Sequence, residues 1–263
     1  MENITLLNEA QIRQHLHDPN VEMTILEGTS STNDYFKGHA PTPHLQVCFA
    51  EHQTTGRGRF HRSWIAPFGS NILMSCRLSF SKNLQELGTL SLCVGLSVLK
   101  ALQSLDIKDL GCKWPNDLMY QHQKLAGVLI ETQGSVNQKI DVIIGIGLNV
   151  NLSADILATI DRPTTSLQML LGAAQDRNHI AAAIINGLCA DLERFQNQGF
   201  SAFQAEWDQH DILHGQEITL NLDHGQVIGK AVGVDPAGQL LLQLPSGETR
   251  AYSAGEVSLS KRH

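Results

Sequence analysis

The chain has 263 residues and a formal net charge of −7 at pH 7, with 42% hydrophobic and 17% charged residues. This length and composition are typical of a globular protein with one large domain, or one domain and a small companion. The acidic balance argues against broad nucleic-acid binding, which normally requires a basic face.

Cysteine spacing and the apolar segments exclude two further classes. The five cysteines are scattered without a CxxC pair, which argues against a metal or disulfide framework. We see no secretory signal at the start and no apolar run of transmembrane length. We therefore expect a cytoplasmic protein that does not contact membranes.

The first elements predicted along the chain are two short helices and a strand. Asn8 is a typical cap for a helix that begins there, and VEMTILEG alternates in the manner of a strand. The cap-type residues from Ser31 predict a second helix.

Two predicted buried strands then flank an arginine-rich loop, and a buried helix follows. The strands are LQVCFAEHQ and NILMSCRLSF. LGTLSLCVGLSVLKALQSL is apolar on nearly all sides, which predicts a helix buried in the core.

Three strand-like segments come next: one around KWPNDLMY, then KLAGVLIETQG, then KIDVIIGIGLNVN. A polar turn with Gly134 and Asn137 predicts that the last two form a hairpin. Residues 165–210 are predicted to be helical.

Near His214 the pattern changes to short strands separated by Gly, Pro and Asp, which predicts a small β-barrel. We therefore predict two domains, residues 1–212 and 213–263. The first is expected to be an α+β domain with a mixed sheet covered by helices, because its strands cluster rather than alternate strictly with helices.

The loop TTGRGRFHRSW places Arg57, Arg59 and Arg62 around Gly56 and Gly58. Guanidinium groups bind carboxylates and phosphates through two aligned donors, and glycine lets a backbone bend sharply or approach a ligand. The loop alone leaves an anion site and an ordinary solvated loop equally open.

KWPNDL holds Lys113, Asn116 and Asp117 around the stiff pair Trp114 and Pro115. These groups suit a site for a polyphosphate and its Mg²⁺, because Mg²⁺ prefers oxygen ligands. An exposed turn with a chance cluster is the alternative.

Lys124 begins the strand KLAGVLIE, and Asn149 follows GIGL. Lys124 suits either a solvated strand edge or a group that holds a carboxylate and neutralises phosphoryl charge. Asn149 suits a turn or a contact with a nucleotide base. Gly145 and Gly147 lack the third glycine of a dinucleotide fingerprint, and no P-loop motif is present.

Taken in order, GRGRFHRSW with Pro67 and Gly69, KWPNDL, KLAGVLIE and GIGLNVN resemble the motifs of biotin–protein ligases. SSTN at residues 30–33 resembles the early biotin-contacting segment of that family. GVDPAGQLLLQL and GEVSL resemble its small C-terminal SH3-like domain. The ordered set with KWPNDL is highly specific, and the resemblance runs from about residue 24 to the C-terminus.

The resemblance implies a two-step reaction that uses biotin, ATP and Mg²⁺. Biotin's carboxylate would attack the α-phosphate of ATP, giving biotinyl-5′-AMP and pyrophosphate. A lysine amine of a biotin carboxyl carrier protein would then attack the mixed anhydride and release AMP. The protein itself needs to take little part in covalent chemistry, so positioning of the substrates and electrostatic stabilisation can account for both steps.

The resemblance also implies site residues by motif position. The implied biotin-binding residues are Ser31, Thr32, Asn33, Gln53, Gly56, Arg57, Gly58, Arg59 and Lys124. The implied ATP-binding residues are Arg59, Arg62, Trp64, Lys113, Asn116 and Asn149. The implied catalytic residues are Lys124, Arg59, Lys113 and Asp117, and no protein ligand of a metal is assigned.

Individual roles follow from the same resemblance. Ser31, Thr32 and Gln53 are expected to hydrogen-bond the ureido ring of biotin. Lys124 is expected to bridge biotin's carboxyl oxygen and the α-phosphate, and Asp117 to orient the incoming amine.

At the nucleotide end, Trp64 is the expected stacking surface for adenine. Arg59 is expected to face the adenylate, and Arg62 the pyrophosphate. The arginine loop is expected to be mobile until ligand binds, because it concentrates like charge on a glycine-rich backbone.

Alternatives to a ligase for biotin are a lipoate or octanoate ligase or transferase of the same superfamily, and a non-catalytic biotin sensor. Only about twenty residues precede the first predicted strand, too few for the winged helix-turn-helix by which some family members bind DNA, so we expect no operator binding. The sequence leaves open whether the chain forms a homodimer and which carboxylase supplies the acceptor.

Overall fold

The structure is a computed structural model that describes residues 5–136 and 138–259. Its main feature is a seven-stranded sheet with the spatial order β1-β2-β3-β7-β6-β5-β4. The strands are β1 (Glu22–Thr29), β2 (Gln46–Gln53), β3 (Ile72–Phe80), β4 (Leu110–Lys113), β5 (Asp117–Tyr120), β6 (Gln123–Val136) and β7 (Lys139–Leu148). β1 and β2 are parallel and the other neighbours are antiparallel, so the predicted mixed sheet is confirmed.

Helices cover the sheet, as predicted for an α+β fold. They are α1 (Glu9–Arg13), α2 (Thr32–Tyr35), α3 (Leu84–Leu87), α4 (Leu90–Gln103), α5 (Ala154–Leu157), α6 (Leu167–Leu171), α7 (Arg177–Gln198) and α8 (Gln204–His210). Asn8 caps α1 by accepting a hydrogen bond from the backbone of Gln11 at 3.1 Å. α4 is buried on nearly every side and packs against α7, as its sequence predicts.

The segment around KWPNDLMY is not one strand. β4 ends at Lys113, β5 begins at Asp117, and Trp114–Asn116 forms the turn between them, with a cis peptide bond before Pro115. Lys113 and Asp117 are direct cross-strand partners. The proline turn therefore brings these two charged residues side by side.

The predicted hairpin is confirmed, because β6 and β7 pair along their length. Gly134 does not lie in its turn, however. It lies within β6, at a bulge after Thr132, where its φ of 120° is a conformation that suits glycine. Asn137, the other predicted turn residue, lies outside the described residues.

A second, antiparallel sheet of five strands has the order β11-β10-β9-β8-β12. Its strands are β8 (Glu217–Leu222), β9 (Gly225–Val234), β10 (Leu240–Gln243), β11 (Thr249–Tyr252) and β12 (Glu256–Leu259). Within the described residues no pairing joins β11 to β12, so the predicted barrel is an open sheet of SH3-like type.

The two sheets meet beside the proline turn. Trp114 is buried, and its indole Nε1 donates to the carbonyl oxygen of Gly238 at 3.0 Å. The backbone of Ile212 donates to Cys112 at 3.0 Å, which attaches the linker to β4. The C-terminal sheet is therefore held against the end of the main sheet that carries KWPNDL. The division at residues 212 and 213 stays a prediction.

Among helices formed by the described residues, none combines the length and the apolar character needed to span a bilayer.

Candidate active site

A cleft of about 1660 Å³ lies over one face of the main sheet and reaches the C-terminal sheet. Every site residue predicted from sequence except Gly56 lines it, namely Ser31, Thr32, Asn33, Gln53, Arg57, Gly58, Arg59, Arg62, Trp64, Lys113, Asn116, Asp117, Lys124 and Asn149. The fold therefore gathers five separate sequence motifs around one volume.

The arginine loop forms a small hairpin of its own. The backbone of Gly58 donates to Arg62 at 2.7 Å, and that of Trp64 donates to Gly56 at 2.9 Å. Gly56 is buried beneath this hairpin, where a Cβ atom would lie 3.0 Å from Gln53 Nε2 and 3.1 Å from the carbonyl oxygen of Trp64. Glycine is needed at this position because the loop packs tightly against its own base.

Two of the three arginines are already paired with carboxylates. Arg57 binds Asp34 through both terminal nitrogens, at 2.7 and 2.8 Å, and holds the pKa of that carboxyl well below its usual range. Arg62 forms an ion pair with Glu256 of the C-terminal sheet, which lowers the pKa of Glu256.

Arg59 differs from both. Among the residues that the structure describes, its guanidinium makes no ion pair within 4 Å, and burial lowers its pKa while Asp117 and Glu256 act in the opposite direction. A partly desolvated guanidinium without a carboxylate partner is suited to bind an anion that enters the cleft.

Two lysines share the cleft with Arg59. Lys124 Nζ lies 2.5 Å from Asp117 Oδ1. Burial lowers the pKa of Lys113, and Lys124 lowers it further, while the Asp117 carboxylate acts in the opposite direction. Three cationic side chains thus surround one carboxylate, an excess of positive charge that would attract phosphate groups.

The backbone of Lys124 is fixed by a segment that the sequence did not indicate. Its N–H donates to Pro163 at 2.9 Å, and its carbonyl accepts from Thr165 at 3.0 Å. Residues 159–164, including Arg162, also line the cleft. This loop carries no recognisable motif, and only the fold places it beside Lys124.

Trp64 lies flat on a floor made by glycines. Gly127 and Gly147 are partners across β6 and β7. A Cβ atom on Gly147 would lie 2.6 Å from Trp64 Cε2, and one on Gly127 would lie 3.3 Å from Cζ3. Lys124 Nζ is 5.5 Å from the centre of the indole ring. Gly147 of GIGLNVN thus makes room for an aromatic ring rather than for a dinucleotide.

The opposite end of the cleft is polar and carries hydroxyl and amide groups. The backbone of Thr32 donates to Gln53 Oε1 at 2.7 Å, and Ser75 Oγ lies 2.7 Å from Thr32 Oγ1. Asn33 Nδ2 donates to Glu131 Oε2 at 3.0 Å. Sequence reasoning missed Ser75 and Glu131; a serine in the centre of the buried strand NILMSCRLSF was the available signal.

The two predicted asparagines each hold a neighbouring segment in place. Asn116 Nδ2 donates to the carbonyl of Val128 at 2.8 Å. Asn149 is buried and donates to the carbonyl of Thr165 at 3.1 Å. Both side chains line the cleft, but one amide hydrogen of each is committed to the backbone.

The family comparisons cover both parts of the chain. Residues 25–149 match the "Biotin/lipoate A/B protein ligase family", and residues 213–260 match the "Biotin protein ligase C terminal domain".

Relatives and solved structures agree with these matches. The "Bifunctional ligase/repressor BirA" of Escherichia coli is 32% identical over 98% of this chain and 79% of that protein. The "Biotin--[acetyl-CoA-carboxylase] ligase" of Mycobacterium tuberculosis is 36% identical over 80% of this chain and 77% of that protein. A biotin protein ligase from Aquifex aeolicus, solved in complex with biotin and ATP, superposes with a TM-score of 0.77 at 29% identity, covering 92% of this chain and 99% of that one.

Because these relatives match most of both chains, and because every predicted site residue except Gly56 lines one cleft, the chain belongs to the biotin protein ligase family.

Proposed function

We propose that this chain is an ATP-dependent biotin–[acetyl-CoA-carboxylase] ligase. It activates biotin as biotinyl-5′-AMP and transfers biotin to a lysine of the biotin carboxyl carrier protein. The acceptor follows from the name of the mycobacterial relative. The proposed compartment is the cytoplasm, a reducing environment that suits five free cysteines.

The observation that carries the proposal is a polar end and a cationic end on one face of the sheet. Gly145 makes room for Asn33, and Gly147, two residues further along the same face, makes room for Trp64. Alternate residues of a strand are roughly 7 Å apart. Lys124 lies beside Gly127, opposite Gly147. A small acid with a polar ring can therefore reach both ends at once.

In the first step, a carboxylate oxygen of biotin forms a bond to the α-phosphorus of ATP and the bond to pyrophosphate breaks. Lys124 and Arg59 stabilise the negative charge on the carboxylate and the α-phosphate, because their cations lie in a partly buried site. To contact the substrate, Lys124 must leave its ion pair with Asp117, so substrate binding releases the Asp117 carboxylate.

In the second step, the neutral lysine amine of the carrier protein forms a bond to the acyl carbon, the bond to AMP breaks, and the amine loses a proton to solvent. The released Asp117 carboxylate then lies in the cleft, where it can orient the incoming amine and accept its hydrogen bond. Asp117 thus holds Lys124 before the reaction and the acceptor lysine afterwards.

The nucleotide is assigned to the other side of Lys124. Trp64 would stack on adenine, Lys113 and Arg62 would bind phosphates, and Asn149 would contact the nucleotide. To bind phosphate, Arg62 must leave its ion pair with Glu256, so nucleotide binding is coupled to the C-terminal sheet.

Magnesium fits the donors present. Among the described residues no group of three His, Cys, Asp or Glu could hold a metal ion. Asp117 and Asn116 supply two oxygen ligands, which suits an ion bound mainly by phosphates and water. Bound there, Mg²⁺ would neutralise phosphate charge.

Biotin-dependent exchange of labelled pyrophosphate into ATP tests the function, run beside lipoate and octanoate. Exchange with biotin alone is expected. Exchange with lipoate instead would assign the site to the other acid of the superfamily. Biotin binding without exchange of any acid would make the protein a sensor.

A further inference from the structure

We infer that Asn71 is a positioning residue for the nucleotide end of the cleft. Its side chain ties the segment that carries Trp64 to the strand whose glycine lies under the Trp64 ring. The inference rests on the proposed function, in which Trp64 stacks on adenine. Asn71 is 1% exposed, lies just before β3 and does not line the cleft, so it can act on a ligand only through the residues that it holds.

The orientation of the Asn71 amide is fixed by two backbone partners. Its Nδ2 donates to the carbonyl of Ile65, and its Oδ1 accepts from the N–H of Val150, both at 3.3 Å. A backbone carbonyl only accepts and a backbone N–H only donates, so turning the amide round would lose both hydrogen bonds. One buried side chain therefore joins two segments that are far apart in the sequence.

These two segments carry the ring and the surface on which the ring lies. Ile65 directly follows Trp64 in the chain. Val150 lies just beyond the end of β7, the strand that carries Gly147, and Gly147 is the glycine against which the indole packs. The two hydrogen bonds of Asn71 therefore hold the ring and its floor in a fixed relation.

The Trp64 side chain has no polar anchor of its own. Its Nε1 is buried and has no hydrogen-bond partner among the described residues. The position of the ring therefore depends on packing and on the backbone at each side of it. On one side the N–H of Trp64 donates to Gly56 at 2.9 Å, and on the other side the carbonyl of Ile65 accepts from Asn71.

A buried ion pair holds the backbone of Asn71 in turn. Arg177 of α7 pairs with Glu51 of β2 at 2.7 Å, and both are buried. Arg177 also donates to the carbonyl of Asn71 at 3.0 Å. The carbonyl of Glu51 accepts from Gly69 at 3.1 Å, which ties down the segment between Ile65 and Asn71. Asn71 is therefore a rigid point from which Ile65 can be held.

Asn71→Asp tests the inference, because it keeps the oxygen that accepts from Val150 and replaces the nitrogen that donates to Ile65. A carboxylate oxygen then faces the carbonyl oxygen of Ile65, and two acceptors cannot pair. We expect the KM for ATP in biotin-dependent pyrophosphate exchange to rise about 10-fold, while kcat and the Kd for biotin stay within about 3-fold of the wild type. A general loss of structure would change all three.

Asn71→Ala removes both hydrogen bonds without burying a charge. It is expected to raise the KM for ATP in the same way, and it decides the question if melting curves show that Asn71→Asp does not fold.

Asn151→Asp is the matched control. The Asn151 side chain also donates to a backbone carbonyl and accepts from a backbone N–H, at 3.0 and 2.8 Å. Both partners belong to Gln175, and neither residue lines the cleft. The variant makes the same chemical change and should leave the KM for ATP within about 2-fold of the wild type.

A double-mutant cycle shows whether Asn71 acts through Trp64. Trp64→Ala alone should raise the KM for ATP. Adding Asn71→Asp to it should change the KM by less than about 3-fold, because the ring that Asn71 positions is then missing. Two effects that multiply would mean that Asn71 acts independently of Trp64, and would overturn the inference.

An unchanged KM for ATP in Asn71→Asp and Asn71→Ala would also overturn the inference, while leaving the ligase assignment intact. An unchanged KM in Trp64→Ala would overturn the assignment of Trp64 to adenine and this inference with it. A wild type without biotin-dependent exchange would overturn the proposed function itself.

Discussion

Replacing Gly147 with alanine is the sharpest test of the glycine floor under Trp64. The added methyl carbon would lie 2.6 Å from Cε2 and 2.8 Å from Cζ2 of the indole. Optimal carbon–carbon contacts are about 3.5 to 4.0 Å, so the ring must move by roughly 1 Å or tilt out of its place. Overpacking of this kind typically costs about 1–3 kcal/mol.

We expect that cost to appear mainly in nucleotide binding, since Trp64 is the proposed stacking surface for adenine. At 1.4 kcal/mol for each tenfold change, the KM for ATP in pyrophosphate exchange should rise about 10-fold or more. The Kd for biotin should change less, because Gly145 rather than Gly147 contacts the polar end.

Gly95→Ala serves as the control. Gly95 is a buried glycine of α4, and a Cβ atom there meets nothing within 4 Å. Both variants should be compared with the wild type by thermal melting, tryptophan fluorescence and the KM for ATP. An unchanged KM for ATP in a folded Gly147→Ala protein would refute the assignment of Trp64 to the nucleotide.

Three further predictions concern Lys124, the proposed catalytic lysine, the linker and the arginine loop. Lys124→Ala should reduce pyrophosphate exchange by about 10²–10³-fold while some biotin binding is retained. Lys139→Ala, at the exposed start of β7, should behave as wild type. Equal losses of biotin binding and exchange in Lys124→Ala would argue against the role of Lys124. Burial raises the pKa of Asp211 to about 6. The folded state therefore binds the carboxyl proton of Asp211 more tightly than the unfolded state does, and the protein loses stability as pH rises from about 4 to 6. Asp211→Asn should not lose stability in this way. The unfolding free energy of the variant minus that of the wild type should therefore increase by about 2 kcal/mol between pH 4 and 7, and a difference that does not change with pH would contradict this. Trypsin cleavage after the arginines of residues 57–62 should slow when biotin and ATP are added, and unchanged cleavage would count against closure of the loop on its ligands.

Local sequence determined much of the framework. Asn8 caps a helix because its side chain reaches the backbone of a residue three positions away. α4 is buried because it has no polar face, and β6 and β7 pair because a short connection leaves antiparallel neighbours few alternatives. A large part of the cleft lining was also predictable as a set, because those residues lie in or beside short motifs that resemble those of a known family.

The ion-pair partner and the burial of each arginine were not predictable in the same way. The loop sequence does not distinguish Arg57, Arg59 and Arg62, but their partners outside the loop do. Arg57 pairs with Asp34 and Arg62 with Glu256, whereas Arg59 is desolvated and has no carboxylate within 4 Å among the described residues. Such pairings depend on sheet register and on where the second domain docks, which local spacing does not encode.

By itself the sequence determined the motifs, their order and the family to which they point, since these depend on residues within a few positions of one another. Only the tertiary structure decided that Ser75 lies against Thr32, 43 residues away, and that Glu131 lies against Asn33, 98 residues away. Those contacts exist because β3, β6 and β7 bring distant segments together on one face. The partner of each of these polar side chains is therefore a property of the fold.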